Sequence, residues 1–252
     1  MKAPMTASTA LTPDLQRRRL VRAAAYGVAA MLARRTAAAR AAPLRILCSG
    51  PGGSIPDLVA RIVSEQWAQA SGASVLVDNR PGAAGLLSIA ALKSAPADGS
   101  TLLLAQGAIA TIYPALYDKL AYDATRDLQP VTLASEMSLA LAIGPAVPDE
   151  VQSLQGFVDW ALRHPAAVNI GSPGIGTLPH LLSSLLMHDC GVAWQHVAYS
   201  GGPPAVTALL GGQIAALVLP EGLLRPHLAS RRVRVLATSG PARSDHLPEV
   251  PS

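Results

Sequence analysis

Three glycine-rich segments carry the residue types that can hold an anion without a basic side chain. Ser49-Gly50-Pro51-Gly52-Gly53-Ser54, Gly171-Ser172-Pro173-Gly174-Ile175-Gly176-Thr177 and Tyr199-Ser200-Gly201-Gly202 each follow a short apolar run and precede a helix-like stretch. Glycine lets the backbone approach a ligand closely, and a helix start presents unpaired N–H groups carrying roughly half a unit of positive charge. Facing turns of this kind could grip a carboxylate, although each alone serves equally well as a tight connection. Asp57, three residues after Ser54, either orders the first loop by accepting its N–H groups or simply favours the helix dipole; the ordering role is preferred. His180 lies one turn into the helix after the second loop, where it could touch a ligand or else pack or cap within its own lobe.

Other chemistries find less support. The glycine-rich turns lack the Lys-Ser/Thr ending of a nucleotide-binding loop, GSPGIG is not spaced as a dinucleotide fingerprint, and no G-x-S-x-G nucleophile elbow occurs. A hydrolase using the same cleft would need an activated Ser54 or Ser172, and no Ser-His-acid set can be assembled from the sequence. His164, His188, His196, His227 and His246 have no metal-like spacing, so neither a metal nor a cofactor is expected. Cys48 and Cys190 allow one disulfide at most, and buried, unpaired thiols are expected instead.

The loops must be positioned by alternating strands and helices. From Pro43 short apolar runs alternate with longer amphipathic stretches, the pattern of parallel βα units. Strands are predicted at Leu44–Cys48, Ser74–Val77 and Thr101–Ala105, with helices at Ile55–Ala70 and Ala83–Ala95. Residues 106–127 read as loop with short helical pieces. Val131–Ser135 and Leu139–Ile143 read as extended runs crossing between lobes. A second series then begins, with strands at Val168–Ile170, Gln195–Val197, Ile214–Leu219 and Val233–Thr238, and helices at Ser153–Arg163, Thr177–His188, Pro203–Leu210 and Glu221–Ala229. An α/β protein of two lobes with doubly wound sheets is expected: lobe 1 from residues 43–138 with 236–252, and lobe 2 from 139–235.

The formal charge of +4 is misleading as a guide to partners. Residues 1–42 hold eight basic side chains against Asp14 alone, so the remaining chain carries 12 basic and 15 acidic residues. Its basic residues are scattered, which excludes a nucleic-acid stripe. The first 42 residues read as a signal peptide: Arg17–Arg19, an apolar run from Leu20 to Ala33, and small residues around Ala37–Ala42. Export to the periplasm follows, and a monomer is expected.

The strings LRILCSGPGGSIPDLVAR, VLVDNRPGAAGLLSIAALKSAPADGSTLLLA, NIGSPGIGTLPHL and HVAYSGGPPAVTALLGGQIAALV closely resemble the tripartite tricarboxylate transporter substrate-binding proteins, also called the Bug receptor family. The resemblance implies a periplasmic two-lobed Venus-flytrap fold that binds di- or tricarboxylates or aromatic acids, delivers them to membrane transporter subunits or a membrane sensor, and catalyses nothing. Carried onto this chain, it implies a first-lobe site of Pro51, Gly52, Gly53, Ser54 and Asp57. From the second lobe it implies Ser172, Gly174, Gly176, Thr177 and His180, with Tyr199 and Gly201 from the next turn. Gly50 stands where an aromatic residue is usual, Ser54 where a second glycine is, Ser200 where a lysine is, and Leu219 where an acid often meets a ligand's amino group. A roomier, more apolar pocket for a larger or aromatic carboxylate, and not for an amino acid, is therefore expected. Relatives usually run several tens of residues past the P-E-V-P-S/T motif, which here ends at Ser252. A first lobe without that tail, or a degenerate member that no longer binds, would follow.

Overall fold

The computed structural model describes residues 43–252, which form two sheets, one parallel and one mixed, with helices on both faces. The signal-peptide expectation lies outside the described residues. The first sheet is wholly parallel, in the order β2 (Val75–Asn79), β1 (Leu44–Cys48), β3 (Thr101–Leu104). Helix α1 (Ile55–Ser71) joins β1 to β2, and a turn of 3-10 helix at Ala83–Gly85 leads into α2 (Leu86–Lys93). Alternation along β1 sends Leu44, Ile46 and Cys48 to one face, where Ala60 of α1 seals them. On the other side Ile89 of α2 packs with Tyr113 and Tyr122, around the short helices α3 (Ala108–Thr111) and α4 (Tyr113–Leu116).

The second sheet runs β6 (Gln195–Ala198), β5 (Asn169–Ser172), β7 (Ala216–Pro220), β4 (Leu139–Ile143), β8 (Arg234–Thr238), with β4 antiparallel to both its neighbours. Helix α5 (Leu154–Arg163) follows β4, and α6 (Leu178–Asp189), α7 (Gly202–Leu210) and α8 (Glu221–Leu228) follow β5, β6 and β7. Every residue of β7 is buried. Its side chains divide by the pleat: Ala216 and Val218 join Phe157, Trp160, Ile170 and Met187 on one face, while Leu217 and Leu219 join Ala205, Leu209 and Leu224 on the other. A strand covered on both faces must read as a continuous apolar run, which is why ALVLP carries no polar residue.

Three expectations need correction. Residues 131–135 form no strand; Val131 and Leu133 are largely exposed, so the run has no ladder partner and no covered face. The expected division put residues from 236 onward in lobe 1, but β8 is paired along β4 in the second sheet, and Thr238 N–H donates to Pro251 carbonyl at 2.8 Å. Apolar alternation in Val233–Thr238 marks a strand without saying which sheet has an open edge beside it. Cys48 is buried and unpaired as expected, whereas Cys190, unpaired too, is only half-buried at the end of α6.

Candidate functional site

The loops leaving β1, β2, β3, β5, β6 and β7 converge on one cavity of about 420 Å³. It lies beyond the carboxyl ends of the parallel strands, where βα connections expose helix starts. The starts of α1, α2, α6 and α7 all border it, through Ser54 and Ile55, Ala83 to Gly85, Thr177 and Leu178, and Gly201 and Gly202. Among the described residues no charged side chain lines the cavity. Its polar groups are backbone, the hydroxyls of Ser49, Ser54, Thr132, Ser135, Thr177, Tyr199 and Ser200, and the amide of Gln106; Leu103, Leu104, Leu219 and Leu223 are among the residues that supply apolar wall.

The first loop is held from below by Asp57. Its buried carboxylate accepts from Gly53 N–H at 2.9 Å, Asn79 Nδ2 at 3.0 Å and Arg61 Nε at 2.9 Å. The Arg61 guanidinium, against the cost of burial and with help from the Gly53 and Asn79 amides, holds this carboxyl below the usual range. Asn79 also donates to Gly50 carbonyl at 3.0 Å, tying the end of β2 to the loop. The preferred ordering role for Asp57 is therefore the observed one: it anchors the loop and does not line the cavity.

The second loop repeats the arrangement. Ser54 Oγ donates to Pro51 carbonyl at 2.6 Å, and Thr177 Oγ1 donates to Gly174 carbonyl at 2.7 Å. Gly53 and Gly176 take left-handed φ values of +77° and +76°. Gly176 N–H donates to His180 Nδ1 at 3.1 Å, as Gly53 N–H does to Asp57. The segments Ser49–Asp57 and Ser172–His180 are thus equivalent, a correspondence legible in G-S-I-P-D and G-T-L-P-H that sequence reasoning missed.

Of the residues the resemblance implied, Ser54, Thr177, Tyr199 and Gly201 line the cavity. Asp57, Ser172 and His180 stand behind the loops. Pro51, Gly53, Gly174, Gly176 and Gly201 bring the two lobes together. A Cβ on Gly201 would fall 2.5 Å from Pro51 Cδ, one on Gly174 3.2 Å from Ala84 Cβ, and one on Gly176 2.6 Å from Tyr117 hydroxyl. Tyr117 hydroxyl donates across to Ile175 carbonyl at 3.2 Å. At Gly52 a Cβ would meet nothing within 4 Å, so no close approach explains this glycine.

Ser172 Oγ lies 2.7 Å from His196 Nε2, a spacing seen in nucleophilic catalysis. Ser172 is completely buried and also donates to Gly174 carbonyl, so no substrate carbon can approach its oxygen.

Sequence reasoning missed the loop at Ala83–Gly85 and residue Gln106. Ala83 and Ala84 are both left-handed, at φ of +46° and +52°, a conformation costing a residue with a Cβ on the order of 1 kcal/mol. Tyr113 hydroxyl holds Ala84 carbonyl at 2.9 Å and Gln106 Nε2 reaches it at 3.4 Å, while Gln106 Oε1 accepts from Ser49 Oγ at 2.7 Å. The only available signal was the N-R-P-G-A-A-G string itself.

The model of the tripartite tricarboxylate transporter family receptor matches residues 59–252. The chain belongs to that receptor family. A UPF0065 protein of Bordetella bronchiseptica is 36% identical to this family member over 210 residues, 83% of this chain and 62% of that protein, so the chain spans less than two thirds of that relative's length. A solved periplasmic transporter superposes with a TM-score of 0.78 at 28% identity, covering 83% of this chain and 70% of the other. MatC from Rhodopseudomonas palustris, solved with bound malate, gives 0.73 at 26%, covering 83% and 71%. The two-lobed flytrap fold expected of the family is the fold observed.

Proposed function

We propose that the protein is a solute-binding receptor that captures a small carboxylate between its lobes, in the periplasm, for membrane transporter subunits or a membrane sensor, and performs no reaction on it. The single observation that carries this is the cavity itself: four helix starts from both lobes meet around a space that no charged side chain of the described residues lines. An anion there is held by amides, hydroxyls and helix dipoles alone. Closure follows because only the closed form lets both lobes touch one ligand. MatC, a relative by structure, holds malate, which supports a carboxylate here.

The lining favours a carboxylate with a sizeable apolar or aromatic body. Leu219 and Leu223 offer no acid for an amino group, and prolines at the second position of α1 and α6 remove one amide donor from each helix start. A thermal melt of the full chain with di-, tri- and aromatic carboxylates and with aspartate tests this. At a hundred times its dissociation constant a true ligand adds about 2.7 kcal/mol. An upward shift with an aromatic or long-chain acid is expected; tighter binding of aspartate or glutamate, or no shift with any acid, would contradict it.

A further inference from the structure

The duplicated loops share a geometry but not a chemistry. At the third position of its helix each uses a side chain to accept the N–H of the glycine four residues earlier, Asp57 for Gly53 and His180 for Gly176. A carboxylate accepts at any pH where it is ionised, whereas an imidazole nitrogen accepts only while it carries no proton. The bond at Nδ1 therefore fixes His180 as the neutral tautomer with its proton on Nε2.

The surroundings give a protonated His180 nothing to pair with. From β6, His196 faces it with ring centroids 4.0 Å apart, and Trp194 lies 6.3 Å from His180 and 5.9 Å from His196. From β5, Ser172 Oγ occupies His196 Nε2. On α6 itself Ser184 hydroxyl donates to His180 carbonyl, and from the first lobe Tyr117 hydroxyl reaches the loop at Ile175. Among the described residues no carboxylate, lysine or arginine bonds either ring. A proton on one imidazole would press a charge against the other with no counter-ion.

We infer that His180 is the positioning residue of the second-lobe binding loop and holds it only while neutral, so that mild acid loosens that loop and leaves its first-lobe twin intact. Burial pushes the His180 pKa down from its ordinary value, and pushes His196 down to about 4 with the neighbouring His180 charge adding to the effect. Above the ordinary value near 6.5 both rings are neutral folded or unfolded; below it the unfolded chain takes up protons that the packed rings resist, so the bonded loop loses stability as pH falls toward 4. The effect on ligand retention rests on the receptor reading; the behaviour of the loop does not.

Amide exchange in the ¹⁵N-labelled full chain, without ligand, reads the loop directly. Between pH 7 and 4.5 the protection factor of Gly176 should fall by about tenfold or more while that of Gly53 holds. His180→Asn, whose amide oxygen accepts at every pH, should abolish the fall, and His180→Ala should lack Gly176 protection already at pH 7. Parallel behaviour of Gly176 and Gly53, or an undiminished fall in the Asn variant, would overturn the assignment. If the loop titrates as described but no carboxylate binds at pH 7, the receptor reading fails and the positioning role stands.

Discussion

At the residue scale the site is built from groups that support the backbone more than from groups that touch a ligand. Asp57 satisfies two amides and a guanidinium from a buried position, so removing it strands donors as well as losing bonds. Asp57→Ala should cost about 1–3 kcal/mol in denaturant unfolding and weaken ligand binding as the first loop relaxes. Its folded pKa lies below the ordinary 3.8, so this contribution is present above that pH and disappears as the pH falls below it. Tyr113→Phe removes the donor that pins Ala84 carbonyl at 2.9 Å. About 1 kcal/mol of stability should be lost, measurable by chemical denaturation, with a larger proportional loss in affinity because Ala83 and Ala84 would leave their left-handed conformation.

At the element scale, burial on both faces explains what the sequence shows and what it conceals. Leu44–Cys48 and Leu139–Ile143 are legible to the residue because their apolar runs are bounded by turn residues and lie inside sheets. Ala83–Ala95 has the pattern of one helix; the chain instead makes a 3-10 turn through two left-handed alanines before α2, which no propensity favours. Val131–Ser135 has strand composition but no neighbour, and the lobe of β8 is hidden because pairing is a tertiary choice. The core of the second sheet makes a firmer prediction: Phe157, wholly buried against Trp160 at 5.9 Å between ring centroids, should cost about 3–5 kcal/mol on Phe157→Ala, read as a lowered denaturation midpoint.

At the scale of the whole molecule, the two lobes meet through glycines. Glycine-rich turns and the resemblance point to ligand contact for Pro51, Gly174 and Gly176; their crowding against the opposite lobe is invisible in the sequence because it depends on two loops far apart in the chain. Gly201→Val sets a side chain into Pro51 and demands a backbone angle that valine rarely adopts. It should weaken binding by about tenfold or more, ~1.4 kcal/mol, while the second-sheet core still unfolds cooperatively. The most direct test of carboxylate capture is calorimetric titration of the acid that most raises the melting temperature, side by side with its uncharged primary amide. Helix starts that hold a negative charge should bind the acid at least about a hundredfold more tightly, ~2.7 kcal/mol, than the amide. Equal affinity for the two would show that the cavity recognises the apolar body alone and would contradict a carboxylate receptor.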